Sequence, residues 1–258
     1  DQTVKEARKV KGKKIKVIDA KIRRGFAHAV KTLLSLNKSE ITILLNDDIK
    51  ITDGHFIEKI SKAFTDQKVG LVSANPQPIR PQGFIEKAAN SAFGVYEKMR
   101  YTIRNGNNEF TCDGKVLALS KPFIKSLHMP KNYQLIGNAD SFLYFSCLAN
   151  GFKYKHVKKA VVKFKLPSNL KDYLSLTIRN NTDPYILKGK FGKVVEMEYK
   201  KPKLAFYYFG MSEFFKNPTG AILIFIIGLY VKYKARQAQK AFNPTWDIVL
   251  STKNLNHG

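Results

Sequence analysis

Two adjacent carboxylates and an amide follow the apolar run Ile41–Leu45, where the chain reads ITILLNDDIKI. Asn46, Asp47 and Asp48 carry oxygen ligands of the kind that Mg²⁺ and Mn²⁺ prefer, and a cation held there could bind a diphosphate. Asn and Asp also open plain turns after strands, because their side chains bond the nearby backbone. The stretch therefore has two interpretations, a metal site or a turn, and the rest of the chain must decide between them.

The charge of the chain favours an anionic ligand. Lys+Arg number 45 against 20 Asp+Glu, which gives a net charge of +25 and a pI near 9.9. Such a field attracts nucleic acid, anionic lipid or phosphorylated ligands. The sequence contains no recognised nucleic-acid motif, and its aromatic residues lie in apolar runs instead of between lysines as base-stacking platforms. We therefore expect no nucleic-acid partner.

The size and cysteine content indicate a folded protein in a reducing compartment. The 258 residues, 44% of them hydrophobic, are enough for one large domain or a domain with an appendage. Cys112 and Cys147 are far apart, have no metal-ligand spacing and sit beside apolar residues. Both are predicted to be buried free thiols.

The first third of the chain alternates between strand and helix patterns. Residues 15–20, 41–45 and 69–74 are apolar and rich in β-branched side chains, whereas residues 26–36 and 53–64 have apolar residues at helical spacing. This alternation predicts an α/β layer with a parallel sheet. Ligands of such sheets bind at the carboxyl ends of the strands, which is where the Asn-Asp-Asp stretch lies.

The later elements are less regular. Three prolines predict an extended loop over 76–81, and a long helix is predicted over 84–104. Further predicted elements are a strand and short helix within 114–127, a helix over 139–150, paired strands over 152–157 and 160–166, and a helix over 170–181.

The order of these segments resembles the family 2 glycosyltransferases, which have the GT-A fold. The resemblance covers most of residues 14–185 and rests on five segments, which are IRRGFAHAVKTLL, LLNDDIKITDGHFIEKI, VGLVSANP, FTCDGKVLALSKPFI and the stretch from GNADSF to LTIRN. It implies an α/β fold of the GT-A (Rossmann-like) type, with a mixed, mostly parallel sheet flanked by helices. The first clear strand, residues 15–20, looks like the second strand of the family. We therefore expect the N-terminal strand of the family to be missing from this chain and the intact protein to be longer.

The resemblance assigns the donor side of the site. Asn46 and Asp48 match the first and last positions of the DxD motif, so that Asp48 and Asn46 would bind Mn²⁺ or Mg²⁺ and Asp47 would lie near the nucleotide ribose. Asn46 departs from the strict motif, because an amide is an uncharged and weaker ligand. Arg23 and Arg24 match the basic turn that lies beside the nucleotide diphosphate.

The resemblance also assigns the acceptor side. Asp140 matches the second residue of the acidic pair of the family, the general base, while Ala139 replaces the first acid. Arg179 matches the arginine of the Gln-x-x-Arg-Trp motif, but Leu176 and Asn180 replace its glutamine and tryptophan. That motif is associated with processive polysaccharide synthases, so its loss predicts the addition of a single sugar.

A further pair, Asp113 and Gly114, matches the segment of the family that contacts the acceptor or the donor sugar. With these residues the resemblance implies an inverting, metal-dependent hexosyltransferase that uses a UDP- or GDP-sugar. In such a reaction a base takes the proton of the acceptor hydroxyl, and cations stabilise the leaving diphosphate. The alternative is a non-catalytic protein of the same fold that binds sugar nucleotides or polyanions.

The C-terminal part changes in character and predicts a membrane-associated helical segment. Residues 221–231 form an uncharged apolar run of 11, shorter than the about 20 residues that a spanning helix needs. Aromatic residues precede this run and basic residues follow it, as at a membrane interface. We expect a glycosyltransferase domain over residues 1–200 and a segment over 201–258 that lies in the membrane surface or is shallowly embedded. A buried core helix is the alternative.

This segment gives the basic excess a partner, since anionic lipid headgroups attract lysine and arginine. The acceptor is then a glycan or lipid-linked molecule near the membrane, in cell-envelope glycan biosynthesis, and the protein lies on the cytoplasmic face of the membrane.

Overall fold

A mixed five-stranded sheet with helices on both faces lies at the centre of the computed structural model. The structure describes residues 3–10, 12, 14–132, 136–200, 202–238 and 249–253. The strands are β1 (Ile41–Leu45), β2 (Ile49–Lys50), β3 (Val69–Pro78), β4 (Val116–Ser120) and β5 (Lys153–Phe164). The helices are α1 (Thr3–Lys9), α2 (Phe26–Ser35), α3 (Phe56–Ser61), α4 (Phe84–Thr102), α5 (Lys121–Ser126), α6 (Ala139–Ala149), α7 (Leu170–Phe191), α8 (Lys193–Glu198), α9 (Lys203–Lys216) and α10 (Pro218–Ala238).

The strand directions correct one part of the predicted fold class. The strand order is β1-β4-β3-β5-β2, and only β3 and β5 pair in parallel within the described residues. β4 runs antiparallel between β1 and β3, and β2 is antiparallel to β5. The mixed sheet is confirmed, but "mostly parallel" is wrong, because the inserted β4 separates strands that do share a direction. The carboxyl ends of β1, β3 and β5 still meet at one edge, together with the amino end of β4.

The strand predicted over residues 15–20 is wrong, because this stretch has no regular secondary structure. Its β-branched side chains satisfy the local preference for a strand, but a strand forms only where a neighbour supplies hydrogen bonds. In the part of the chain that the structure describes, β1 pairs with β4 alone and residues 15–20 join no sheet.

Two other differences come from pairing along β5. β3 continues through Pro76 and Pro78, which were predicted to lie in a loop, because β5 pairs with it over this stretch. β4 pairs only with residues 71–73 of β3, so the proline nitrogens remove no bond on that side. The two strands predicted over 152–157 and 160–166 are one long β5, whose register shifts where Ala74 and Asn75 of β3 face it.

The core has one layer on each face of the sheet. Leu71, Leu117 and Leu119 point to the layer that α2, α5, α6 and α7 cover, while Val72 and Ala118 point to the layer that α3 covers. The alternation of these side chains along β3 and β4 follows from the pleat of the strands. Among the described residues, the free thiols of both cysteines are buried, as predicted.

The helices α9 and α10 pack against α4, and α10 also packs against α7. Ile227, Val231 and Ala235, four residues apart, form the buried face of α10. Its other face exposes a row of apolar side chains, which includes Ile222, Phe225, Ile226, Leu229 and Tyr233. By length and composition alone, Pro218–Gln237 is the one stretch of the described chain that could cross a membrane.

Candidate functional site

The Asn-Asp-Asp turn is attached to the start of β4. The backbone N–H of Asn46 donates a hydrogen bond to the carbonyl oxygen of Lys115, at 3.0 Å. The Asp48 side chain is 18% exposed, and its Oδ1 is a buried atom with no hydrogen-bond partner in the described structure. A buried carboxylate oxygen without a partner is costly unless a ligand pairs with it. The unpaired Oδ1 is therefore an acceptor that a bound ligand could use.

A divalent cation fits this turn by its chemistry. The oxygens of Asp47 and Asp48 are hard ligands, and Mg²⁺ sites commonly use one or two carboxylates with substrate phosphates and water completing the shell. Within the described ranges, no group of three or more His, Cys, Asp or Glu side chains could hold a metal without such help. The predicted ligands Asp48 and Asn46 therefore remain predictions that the orphaned Asp48 oxygen supports.

The loop before β4 carries Asp113, Gly114 and Lys115. Asp113 Oδ1 accepts a hydrogen bond from the backbone N–H of Lys115 at 2.9 Å, and Lys115 Nζ lies 3.3 Å from both oxygens. Burial would raise the pKa of Asp113, but the Lys115 ammonium and its backbone N–H outweigh this effect and the pKa is lowered. Asp113 is therefore a stable anion in this loop.

Asp140, the predicted base, is clamped by two backbone N–H groups. It lies in the first turn of α6, and Gly114 N–H donates to Oδ2 and Ser141 N–H to Oδ1, each at 2.9 Å. Burial raises the pKa of Asp140, the negative charge of Asp113 raises it further, and the two N–H groups oppose the rise. A carboxylate with a raised pKa in a fixed orientation is a better general base than an exposed one.

Gly114 allows this clamp. A Cβ atom on Gly114 would lie 3.0 Å from Asp140 Oδ2, tighter than ordinary contact. One short loop therefore links the Asn-Asp-Asp turn to Asp140. The carbonyl oxygen of Lys115 accepts a hydrogen bond from the backbone N–H of Asn46, and the backbone N–H of Gly114 donates one to Asp140 Oδ2. The loop brings the sequence-predicted residues Asn46, Gly114 and Asp140 together, and the roles predicted for them stay predictions.

The three predicted arginines are placed differently. Arg179 on α7 is close enough to Asp140 to oppose the rise in its pKa, and its Nε is buried without a hydrogen-bond partner in the described structure. Arg23 and Arg24 are exposed in the segment that precedes α2. A contact of Arg179 with substrate is thus supported by an orphaned donor, while the roles of Arg23 and Arg24 stay predictions.

A residue that sequence reasoning missed lies at the acidic turn. Lys253 Nζ is 2.5 Å from Asp47 Oδ1 and 3.4 Å from Asp48 Oδ2. Ser251 fixes this part of the chain, because its N–H donates to Asp172 Oδ2 at 2.9 Å and its Oγ accepts from Ser168 N–H at 3.2 Å. No local pattern announces a contact between residues 206 apart in sequence.

A buried acidic cluster behind Asp140 was also missed. Ser141 Oγ lies 2.9 Å from Glu109 Oε1 and 3.1 Å from Asp183 Oδ2, and the Tyr199 hydroxyl donates to Glu109 Oε1 at 2.8 Å. Burial raises the pKa of Glu109 to about 7 and raises that of Asp183 well above its ordinary value. Asp183 Oδ1 also accepts from the backbone N–H of Asn138 at 2.8 Å. This cluster holds the start of α6, and therefore Asp140, in place.

The comparison with known families identifies the N-terminal part of the chain. The sequence profile described as "Glycosyl transferase family 2" matches residues 1–127. Over these residues, the chain belongs to glycosyl transferase family 2. This glycosyl transferase domain contains Asn46, Asp48 and Gly114, whereas Asp140 and Arg179 lie beyond the matched part. The mixed sheet flanked by helices agrees with the GT-A class that was expected of the family.

The chain was also compared with solved structures and with curated proteins. A mannosyltransferase from Pyrobaculum calidifontis, solved in complex with GDP-Man and Mn²⁺, is similar at 18% sequence identity and a TM-score of 0.49. The similarity covers 89% of this chain and 64% of that structure, so the chain spans less than two thirds of its length. No curated protein matches the sequence.

Proposed function

We propose that this family 2 chain is a glycosyltransferase that moves one hexosyl group from a nucleotide-diphospho-sugar to an acceptor hydroxyl, with inversion at the anomeric carbon. The observation that carries the proposal is the clamp on Asp140, whose two oxygens are fixed by Gly114 and Ser141 beside the loop that holds the Asn-Asp-Asp turn. A base in a fixed orientation and an acidic turn for a diphosphate-bound cation are the two parts that such a transfer needs.

The mechanism assigns each half of the site one task. Asp140 takes the proton of the acceptor hydroxyl as that oxygen attacks the anomeric carbon, and the bond to the diphosphate breaks on the opposite face. Asp48 and Asn46 would hold Mn²⁺ or Mg²⁺, which would supply positive charge to the leaving diphosphate, while Asp47 lies on the side of the nucleotide ribose. Arg179 can add to that charge from α7, and no covalent intermediate is needed.

Two residues of α7 support the addition of a single sugar. Leu176 and Asn180 stand where the processive synthases carry glutamine and tryptophan, so the helix lacks the side chains of that motif. This difference supports transfer of one sugar per acceptor. The donor nucleotide is UDP or GDP, and the acceptor is a glycan or lipid-linked molecule.

The first test is calorimetric titration of UDP and of GDP into the full-length protein, with and without Mn²⁺. We expect one nucleotide to bind in a Mn²⁺-dependent way and Asp48→Ala to abolish the Mn²⁺ dependence. Loss of a group that only supports a metal ligand costs about 10- to 100-fold in metal affinity, so loss of the ligand should cost at least as much.

Asp66→Ala is the matched control, because Asp66 is a surface carboxylate paired with Lys153. It should leave nucleotide affinity unchanged. Failure of the folded protein to bind either nucleotide would contradict the proposed function and favour a non-catalytic protein of the same fold that binds other polyanions.

The exposed apolar face of α9 and α10 supports a membrane-proximal acceptor. On α9 the exposed apolar side chains include Leu204, Tyr207, Tyr208, Met211 and Phe215, and α10 adds those named above. Because one face of α10 is buried against the protein, we favour a helix that lies in the membrane surface over one that spans it. We keep the division at residue 200, and location at the cytoplasmic face, as parts of this proposal.

Vesicle flotation measures this membrane contact. The wild type is expected to float with phosphatidylglycerol vesicles, and the double variant Phe225→Ser with Leu229→Ser to lose about tenfold or more in bound fraction. Burying one large apolar side chain is worth about 1.5–3 kcal/mol, so two such losses exceed a factor of ten. Met197→Ser removes an equally exposed side chain on α8 and should leave flotation unchanged. Equal flotation of the double variant and the wild type would contradict the proposed contact of α10 with the membrane.

A further inference from the structure

Lys253 places a positive charge where a divalent cation would bind. Its ammonium lies 2.5 Å from Asp47 Oδ1 and 3.4 Å from Asp48 Oδ2, so it bridges the two carboxylates of the acidic turn. We propose that Lys253 sets the affinity of the donor site for its divalent cation, because the ammonium and the cation compete for the carboxylate of Asp48. This inference rests on the metal site of the proposed function.

The competing group is held in place by contacts of the backbone around it. Ser251 N–H donates to Asp172 Oδ2 at 2.9 Å, and Ser251 Oγ accepts from the N–H of Ser168 at 3.2 Å. Thr252 is buried between these contacts and Lys253. The residues Val249–Lys253, which we call the C-terminal strap, are therefore docked on the start of α7, and Lys253 reaches the acidic turn from a defined position.

The charges make the two occupants exclusive. Asp48 Oδ2 and Asp47 Oδ1 face the ammonium, and the buried Asp48 Oδ1 has no hydrogen-bond partner in the described structure. A divalent cation bound to that oxygen would stand within a few ångströms of the ammonium in a partly buried site, where like charges repel strongly. Binding of the cation therefore requires Lys253 to leave, and Lys253 lowers the apparent affinity for the cation by mass action.

Two consequences follow. The site discriminates against weakly bound cations, because a cation must displace an ammonium that the chain holds at high local concentration. Binding of a cation should also loosen the C-terminal strap, since departure of Lys253 removes one of the contacts that hold Ser251 and Thr252. The ion pair of Lys253 with the two carboxylates is partly exposed, so added salt weakens it. At high salt, Lys253 should therefore lower the affinity for the cation by less.

The test is calorimetric titration of Mn²⁺ alone into the full-length wild type and Lys253→Met, which keeps the apolar stem and removes the charge. We expect Lys253→Met to bind Mn²⁺ at least about tenfold more tightly. Lys121→Met is the matched control, because Lys121 and Glu40 have side chains 35% and 79% exposed, against 39% and 78% for Lys253 and Asp47. Lys121 follows β4, at the end of that strand opposite to the acidic turn, and its loss should leave Mn²⁺ affinity unchanged.

Hydrogen exchange gives a second readout that a general change in charge would not move. In the wild type, saturating Mn²⁺ should speed exchange of the Ser251 amide, whose N–H bonds Asp172. Equal Mn²⁺ affinity of the wild type and Lys253→Met would overturn the competition and leave the proposed function standing. Absence of Mn²⁺ binding in both, with Asp48→Ala indistinguishable from them, would overturn the metal site itself and this inference with it.

Discussion

Replacement of Asp140 by Asn is expected to lower kcat for sugar transfer by about 10²- to 10⁴-fold, the usual contribution of a general base. An amide cannot accept the proton of the acceptor hydroxyl, whereas its size and shape match those of the carboxylate. Nucleotide affinity should change little, because the Asn-Asp-Asp turn is untouched. The measurement is a transfer assay in parallel with calorimetric titration of UDP and GDP.

The geometry adds one requirement to this experiment. Each oxygen of Asp140 accepts a backbone N–H, from Gly114 and from Ser141, so the NH₂ group of the asparagine must face one donor. A thermal unfolding curve of the variant is therefore needed beside the kinetics. Asp66→Asn, a surface substitution, supplies the control. Full activity of a folded Asp140→Asn protein would remove Asp140 from the role of base.

Replacement of Glu109 by Gln is expected to flatten the dependence of stability on pH. The pKa of Glu109 is raised by burial from 4.5 to about 7. The folded state thus holds this proton more tightly than the unfolded state, and the stability it contributes is complete below pH 4.5 and lost as the pH rises through 7. A difference of this size corresponds to a free energy of unfolding on the order of 3 kcal/mol. Glutamine keeps an oxygen for Ser141 and Tyr199 and has no proton to lose.

Chemical denaturation at pH 5 and at pH 8.5 measures this effect. The fall in unfolding free energy between the two values should be larger for the wild type than for Glu109→Gln by on the order of 3 kcal/mol. The pKa of Asp183 is raised by burial and also by the charge of Glu109, so removal of that charge in Glu109→Gln acts in the same direction and adds to the difference between the two proteins. Glu58→Gln alters an exposed carboxylate paired with Lys62 and should follow the wild type. An equal fall in unfolding free energy for the wild type and Glu109→Gln would show that Glu109 is ionised in the folded state from pH 5 to pH 8.5.

Local patterns were sufficient for an apolar run that turn residues bound on both sides. β1 was predicted with its observed bounds, Ile41–Leu45, because an apolar run of five between turn residues has few alternatives. The prediction over residues 15–20 failed since strand formation depends on a neighbouring strand, which lies outside any local window. The loop predicted at Pro76 and Pro78 was wrong for the opposite reason. Here β5 supplies a strand partner that the spacing of the prolines does not reveal.

The candidate site divides in the same way. Motif order named Asn46, Asp48, Gly114 and Asp140 as candidates, and the structure places Asn46, Gly114 and Asp140 around one loop, while their roles stay predictions. Burial and distant pairing decide the rest. The raised pKa of Glu109 depends on its position beneath α6, and the contact of Lys253 depends on the path of the whole chain, so neither could be predicted from residue type.

The separation in sequence between Lys253 and the acidic turn also sets the order in which the ribosome makes them. The two ends of the Lys253–Asp47 contact are 206 residues apart. Ribosomes add about 5–20 residues per second, so Asp47 is made roughly 10 to 40 s before Lys253. During synthesis the acidic turn therefore exists before the ammonium of Lys253. A metal ion that binds the turn of the nascent chain has no such competitor. A cation can therefore bind the nascent turn early, and Lys253 can compete with it only after residue 253 has been made.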